Sequence, residues 1–393
     1  MQAPKPFKLE RFFAEHEFSV ERMLCNSDVQ PLSVPDLLKH ADADDRKRWE
    51  GLELGYGEYP GDETLRQHIA KAFYTDATEN DINCVVPEEG IFLSMLTLLQ
   101  PGSEVICMMP SYQSLHAVAE SLQCKVHAWN PKQDEGGLLR FDVQDALDAL
   151  ASNPKVKLVV VNVPHNPTGL TLRRADLHSL VDACKGAGSY LFMDEMYKFL
   201  ELEHGEEGPL PSACDVYERG ITLCGLSKSF ASPGLRIGWI ACRDAAFMKS
   251  FAMLKDYTTI CPPTPCECLA IMVIKQRDWI VKRSLDLIRT NAAALKAFCD
   301  AHADCIDFYA PQAGSIVFPR IRIPGMGGAT AFCEAFVKEQ NTLLLPASVY
   351  EGPMAEEDDR VRFGLGRDPE KTKEGLRRLG QFFDAHTKNA ATA

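Results

Sequence analysis

A chain of 393 residues with 46% hydrophobic and 25% charged content is too long for one simple core and leaves little room for long disorder. A folded protein of two domains, or of one large domain with a satellite, is expected. The net charge of −13 excludes sequence-independent binding to nucleic acid or to an anionic membrane, because both need a basic surface. The N-terminal "MQAPKPFKLERFFAEHEF" holds no apolar stretch of signal-peptide length, and no run approaches the roughly 18 apolar residues of a membrane span. A cytoplasmic protein with small-molecule partners is therefore expected.

Along the chain, "SEVICMMP" (103–110), "CKVHAWN" (124–130), "VKLVVVNVP" (156–164), "SYLFMDE" (189–195), "GITLCGLS" (220–227) and "RIGWIACR" (236–243) read as short strands. Helical patterns lie between and after them: "SYQSLHAVAESLQ", "RRADLHSLVDACKGAG" with a glycine suited to its C-terminus, and "DAAFMKSFAMLKDYTT". Alternation of this kind predicts an α/β layer fold with a mostly parallel central sheet flanked by helices. After about residue 270 the texture changes: the long helical run "CECLAIMVIKQRDWIVKRSLDLIRTNAAALKAFCDAHA" leads to the short strands "GSIVFPRIRI", "TLLLPASV" and "DRVRFGLG" and a closing helix "EKTKEGLRRLGQFFDAH". The expected organisation is a large α/β domain over 50–285 and a small α+β domain from 1–49 with 286–393. The fourteen cysteines are scattered singly through apolar segments and read as small buried hydrophobes. The close pair Cys261 and Cys266 lacks partners at zinc-site spacing, so no metal is expected.

In open parallel sheets, ligands sit beyond the carboxyl ends of the strands. Polar residues gather there: Asn166 in "VPHNPTGL", Asp194 and Tyr197 in "MDEMY", Ser227 and Lys228 in "GLSKSF", with Arg236 eight residues on. Each alone reads as a turn, a cap or a surface side chain. Together they suit pyridoxal phosphate, whose aldehyde takes a lysine amine as a Schiff base, whose ring nitrogen needs an acid, and whose phosphate needs an anion site.

These pieces, from "YGEYPGDETLRQHIA" through "PSYQSL", "PHNPTG", "DEMY" and "SKSFASPGLRIGW" to "VRFGLGR", resemble the fold-type I pyridoxal-phosphate enzymes of the class I/II aminotransferase group. The resemblance implies the transferase fold of that group and the following roles. Lys228 holds pyridoxal 5′-phosphate and carries the proton between the substrate α-carbon and the cofactor. Asp194 pairs with the pyridine nitrogen, while Tyr197 and Asn166 hydrogen-bond the ring 3-oxygen. Tyr112 stacks on the ring. Ser227, Arg236 and the amides of Glu88 and Glu89 at the start of "EEGIFLSMLTLL" hold the phosphate, with Tyr56 reaching in from the second subunit of a homodimer. Arg362 clamps the substrate α-carboxylate; Arg360 lies on the same strand face, and the motif alone separates the two. Ser27, Tyr59 and Tyr257 are candidates for side-chain recognition.

Two positions depart from the family pattern. Pro87 and Glu88 stand where the phosphate loop is often small or hydroxylic, and Gly225 stands where a hydroxyl commonly precedes the lysine by three residues. The expected reaction is amino transfer between an α-amino acid and a 2-oxo acid. The alternative is a lyase or cyclase acting on a substrate side chain, because "LERFFAEHEF" and "CNSDVQPLSVPDLL" lack a Gly-rich substrate loop and are similar to the arginine-cyclising capreomycidine synthase group. A regulator or an inactive scaffold is the third class, and the presence of Lys228, Asp194 and Arg236 together weighs against it.

Overall fold

The computed structural model describes residues 2–134, 138–202, 208–323 and 325–392. Seven strands build the central sheet: β1 (Ile82–Val85), β2 (Glu104–Met108), β3 (Lys125–Trp129), β4 (Val156–Asn162), β5 (Tyr190–Asp194), β6 (Gly220–Gly225) and β7 (Gly238–Ala241). Their spatial order is β1-β7-β6-β5-β4-β2-β3. The pairs β3/β2, β2/β4, β4/β5 and β5/β6 are parallel, and β7 runs antiparallel to both β6 and β1. The run of valines in β4 is buried almost throughout, as a strand covered by helices on both faces requires. β1, absent from the sequence-based expectation, is only four residues long and closes the edge beside β7.

Helix α1 (Lys8–His16) lies at the N-terminus, α2 (Pro87–Leu98) follows β1, and α3 (Arg174–Ala187) follows β4. Gly188 caps α3 in the left-handed conformation at φ 67°, the role the sequence assigns to a glycine there. The long helical run is two helices, α4 (Thr264–Lys275) and α5 (Arg277–Ala301). The break falls at Gln276, where φ −100° and ψ 11° leave the helical region. A second, three-stranded antiparallel sheet has the order β8 (Ile316–Val317), β10 (Val361–Gly364), β9 (Leu345–Pro346). "GSIVFPRIRI" is not one strand, since Pro319 follows β8 and has no N–H for the ladder. The N-terminal segment joins this layer: Arg22–Met23 pairs in parallel with Thr342–Leu343, and Gly364 donates to the Leu24 carbonyl at 2.7 Å.

All fourteen cysteines are free thiols, twelve of them buried. Burial pushes thiols such as Cys25 and Cys107 up to about 12, far from reactive thiolates. Among the described residues, one group has metal-ligand proximity, His116 with Glu120 and Glu351, and the ammonium groups of Lys5 and Lys8 sit against its carboxylates. No helix among the described residues is long and apolar enough to cross a membrane.

Candidate active site

Beyond the carboxyl ends of β4, β5 and β6 a cavity of about 430 Å³ opens, faced on its other side by α1 and the segment 26–28. Ser27, Glu88, Tyr112, Asn166, Asp194, Tyr197, Ser227, Lys228, Arg236 and Arg362 all line it. Four further predicted residues do not: Glu89, Tyr56 and the recognition candidates Tyr59 and Tyr257, the last two of which are exposed. The Glu89 carboxylate accepts from the Val86 amide and from the Thr258 and Thr259 hydroxyls, which keeps it outside the lining. Tyr56 is 94% exposed.

Asp194 ends β5 as a buried carboxylate whose Oδ1 accepts the Met196 amide at 3.1 Å. Burial pushes its carboxyl up to about 7, outweighing the Met196 amide and the nearby Lys228 charge. Asn162, the last residue of β4, donates to the Asp194 carbonyl at 3.1 Å and accepts the Asn166 amide at 2.8 Å, so it ties two strand ends together. Lys228, after β6, donates from Nζ to Ser27 Oγ at 2.9 Å. Burial pulls this amine below its usual range, with Asp28 opposing and Arg362 acting in the same direction. The Tyr197 hydroxyl is buried beside Ser27 and makes no well-formed hydrogen bond of its own.

Arg362 stands in β10, opposite Leu345, and is 1% exposed. Its Nε and Nη2 donate to the Cys25 carbonyl at 3.1 and 2.9 Å, and its Nη1 donates to Tyr350 Oη at 2.8 Å and to Asn166 Oδ1 at 3.3 Å. Tyr350 in turn donates to Asn166 Oδ1 at 3.1 Å. Asn166 is thereby oriented from three sides, with its side-chain Nδ2 left free of these bonds. Arg360 lines a different cavity with Tyr309 and Arg320 and donates to the Phe318 carbonyl at 3.1 Å, so the structure separates the two arginines that the strand pattern leaves equivalent.

At the start of α2, Pro87 occupies the first helical position and packs close to β7: a Cβ built on Gly238 would lie 2.8 Å from Pro87 Cγ. The first-turn amides of Glu88 and Glu89 have no acceptor within the helix. The Glu88 carboxyl accepts from Ser114 Oγ at 3.2 Å, and burial pushes it up to about 7 against that bond. Tyr112 donates to Glu10 Oε1 at 3.1 Å and packs its ring on Phe7 at 5.0 Å between centroids. Gly225 has a steric reason. A Cβ there would meet Gly238 Cα at 3.1 Å and the Ile237 carbonyl oxygen at 3.2 Å, which leaves little space for a hydroxylated side chain. Arg236 closes the short helical turn Pro233–Leu235 with φ 55° and donates to the Pro233 carbonyl at 3.0 Å, at the exposed mouth of the cavity.

A family model described as aminotransferase class I and II matches residues 30–379. The chain belongs to this family. Among its class I and II relatives, the capreomycidine synthase of Streptomyces vinaceus is 25% identical over 98% of this chain and 96% of its own length. A probable N-succinyldiaminopimelate aminotransferase of Mycobacterium tuberculosis is 28% identical over 84% of this chain and 86% of its own. The crystal structure of a PLP-dependent aminotransferase from Streptococcus suis superimposes with a TM-score of 0.87 at 25% identity, covering 98% of this chain and 99% of that one. Pyridoxal phosphate is the cofactor of these enzymes, and the cavity fits it. An amine with lowered proton affinity, a buried carboxyl and an unsatisfied phenol face one space, which is the donor set that an aldehyde, a pyridine nitrogen and a phenolic oxygen require.

Sequence reasoning missed Asn162 and Tyr350, which orient Asn166 and Arg362, and the carboxylates Glu10, Glu17 and Asp28, which also line the cavity. Glu10 and Glu17 are seven residues apart, two helical turns, and this spacing was a readable signal that they share a face.

Proposed function

We propose that the protein is a pyridoxal-phosphate-dependent aminotransferase that moves an amino group between an α-amino acid and a 2-oxo acid. The observation that carries this reading is the convergence of Lys228, Asp194 and Arg362, from three separate strands or strand ends, on one cavity of amino-acid size. Bound pyridoxal phosphate supplies a ring that accepts the electron pair of the substrate α-carbon. The protein's own groups do the rest. Lys228 Nζ would be the covalent attachment point, and burial, which lowers its proton affinity, favours the neutral amine that can take and return the α-proton. Asp194 gains a partner for its charge when a protonated pyridine nitrogen meets it, which removes the cost of burying it alone. Arg362 offers a planar pair of N–H groups to the α-carboxylate, held in place by Cys25 and Tyr350. Tyr197 and the side-chain amide nitrogen of Asn166 would hold the ring oxygen, and Ser227, Arg236 and the α2 amides would hold the phosphate.

The test is a half-reaction. Holoenzyme mixed with a stoichiometric amino acid should release the matching 2-oxo acid and shift its visible absorbance, and a second 2-oxo acid should restore the original spectrum. A cyclised or eliminated product with no oxo acid, on every amino acid tried, sinks amino transfer. It would favour the second reading, a lyase or cyclase. One observation favours that reading: the capreomycidine synthase relative aligns over 98% of the chain, including the N-terminal segment that here delivers Glu10, Glu17 and Ser27 to the cavity.

A further inference from the structure

The charges around the cavity do not balance once the cofactor and an α-carboxylate are assigned to it. Four cations line it: Lys228, Arg236, Arg362 and Arg367. In the proposed function Lys228 is consumed by the covalent attachment, Arg236 by the phosphate and Arg362 by the α-carboxylate. Arg367 is already paired with Asp28, its Nη2 donating to both carboxylate oxygens at 2.8 and 3.0 Å. Among the acids, Asp194 is taken by the ring nitrogen and Glu88 faces the phosphate side. Glu10 and Glu17 remain. Neither forms an ion pair among the described residues, and the one hydrogen bond to Glu10 comes from the Tyr112 hydroxyl. Both belong to the α1 segment, so they reach the cavity from the side opposite the strand ends that hold the cofactor residues.

We infer that Glu10 and Glu17 select an α-amino acid whose side chain ends in a cation, a guanidinium or an ammonium. This inference rests on the proposed function, since it takes the α-carboxylate to be held at Arg362. The buried Tyr197 hydroxyl, without a well-formed hydrogen bond, shows that the same cavity is built to take a ligand; the proposed function gives that hydroxyl to the cofactor, which leaves the α1 side to the substrate side chain. A partly buried carboxylate without a counter-ion is costly, and the Glu17 carboxyl is raised by burial and by the charges of Asp28 and Glu10. A ligand cation removes that cost, whereas an anionic side chain adds a further like charge and a neutral one leaves the carboxylates desolvated and unpaired.

The experiment titrates holoenzyme with L-arginine, L-lysine, L-norleucine and L-glutamate and follows the visible spectrum. The cationic amino acids should bind about ten-fold or more tightly than norleucine, as a charge-assisted contact implies. Glutamate should be weakest, and the advantage of the cations should shrink as salt rises. In Glu17→Gln and Glu10→Gln the ratio of arginine to norleucine affinity should fall toward one, with norleucine as the internal reference for a folded site. Comparison of arginine with lysine separates guanidinium from ammonium recognition. If norleucine or glutamate binds as tightly as arginine to the unaltered enzyme, or if the ratio survives both substitutions, the inference is overturned while amino-acid binding at Lys228 stands. If no amino acid changes the spectrum, the proposed function and this inference fall together.

Discussion

At position 88 a carboxyl replaces the small or hydroxylic residue of the family, next to amides proposed to hold a phosphate. Two negative groups so close would repel by several kcal/mol at low effective dielectric. Burial resolves the conflict by holding Glu88 protonated, since its carboxyl is pushed up to about 7. The sign follows directly. Below about pH 6 the group is neutral and can donate to the phosphate, whereas above about pH 8 it is charged and opposes it. The dissociation constant for pyridoxal phosphate should therefore rise by about ten-fold across that interval, and Glu88→Gln should flatten the rise. An equilibrium titration of apoenzyme at several pH values measures this; an unchanged slope in Glu88→Gln removes Glu88 from the account. Asp194 works in the opposite sense, because its ionised form is the one that pairs with a protonated ring nitrogen. Its folded carboxyl is also raised to about 7, so without cofactor it favours the fold below the ordinary carboxylate range and loses that contribution as pH rises through 7. Apo Asp194→Asn should thus show a smaller fall in melting temperature between about pH 5 and pH 8 than the parent apoenzyme.

The elements that present these residues meet where β10 crosses the N-terminal segment. A Cβ placed on Gly364 would lie 1.9 Å from the Asn26 carbonyl oxygen, a backbone atom that cannot swing away. Gly364→Ala must therefore displace 26–28, which carries Ser27 to Lys228 and Asp28 to Arg367. The expected cost is about 1–3 kcal/mol, with KM for the amino acid rising more than kcat falls. Thermal melts and steady-state kinetics read this, and a variant with parental Tm and KM would show that the crossing tolerates a side chain. This crossing also marks the limit of what the sequence discloses. Asn166, Asp194 and Lys228 were legible because each is a polar residue just after an apolar run, where an α/β sheet puts its ligands. The partnership of Tyr350 with Arg362 or of Asp28 with Arg367 was not, since it joins segments whose contact only the folded chain creates. The break at Gln276 was hidden because glutamine is a good helix former and no Gly or Pro marks it. β1, with four residues, falls below the length at which alternation can be told from chance.

For the molecule as a whole, a group of large side chains faces water: Leu54 at 86%, Tyr56 at 94%, Tyr59 at 67% and Tyr257 at 90% exposure. The stretch holding the first three is anchored to the start of α4, where Thr264 Oγ1 donates to the Gly55 carbonyl at 3.4 Å. Several exposed aromatics on anchored chain are the signature of a surface that a partner covers, and a second copy of the chain is the partner that gives Tyr56 a function. We propose a twofold dimer in which Tyr56 of each subunit reaches the phosphate end of the other's cavity. Sedimentation should then give about twice the 43.7 kDa of one chain. Mass alone would not place Tyr56 at a shared site, but complementation does. Tyr56→Ala should bind cofactor weakly and turn over slowly at limiting pyridoxal phosphate, and Lys228→Ala should be inactive. In a heterodimer of the two, the cavity that keeps Lys228 faces the subunit that keeps Tyr56, so it is intact, while the other cavity carries both lesions. Random exchange of subunits should consequently restore about a quarter of the parental activity per site. If the mixture stays no more active than Tyr56→Ala alone although exchange is verified, Tyr56 serves its own subunit or none.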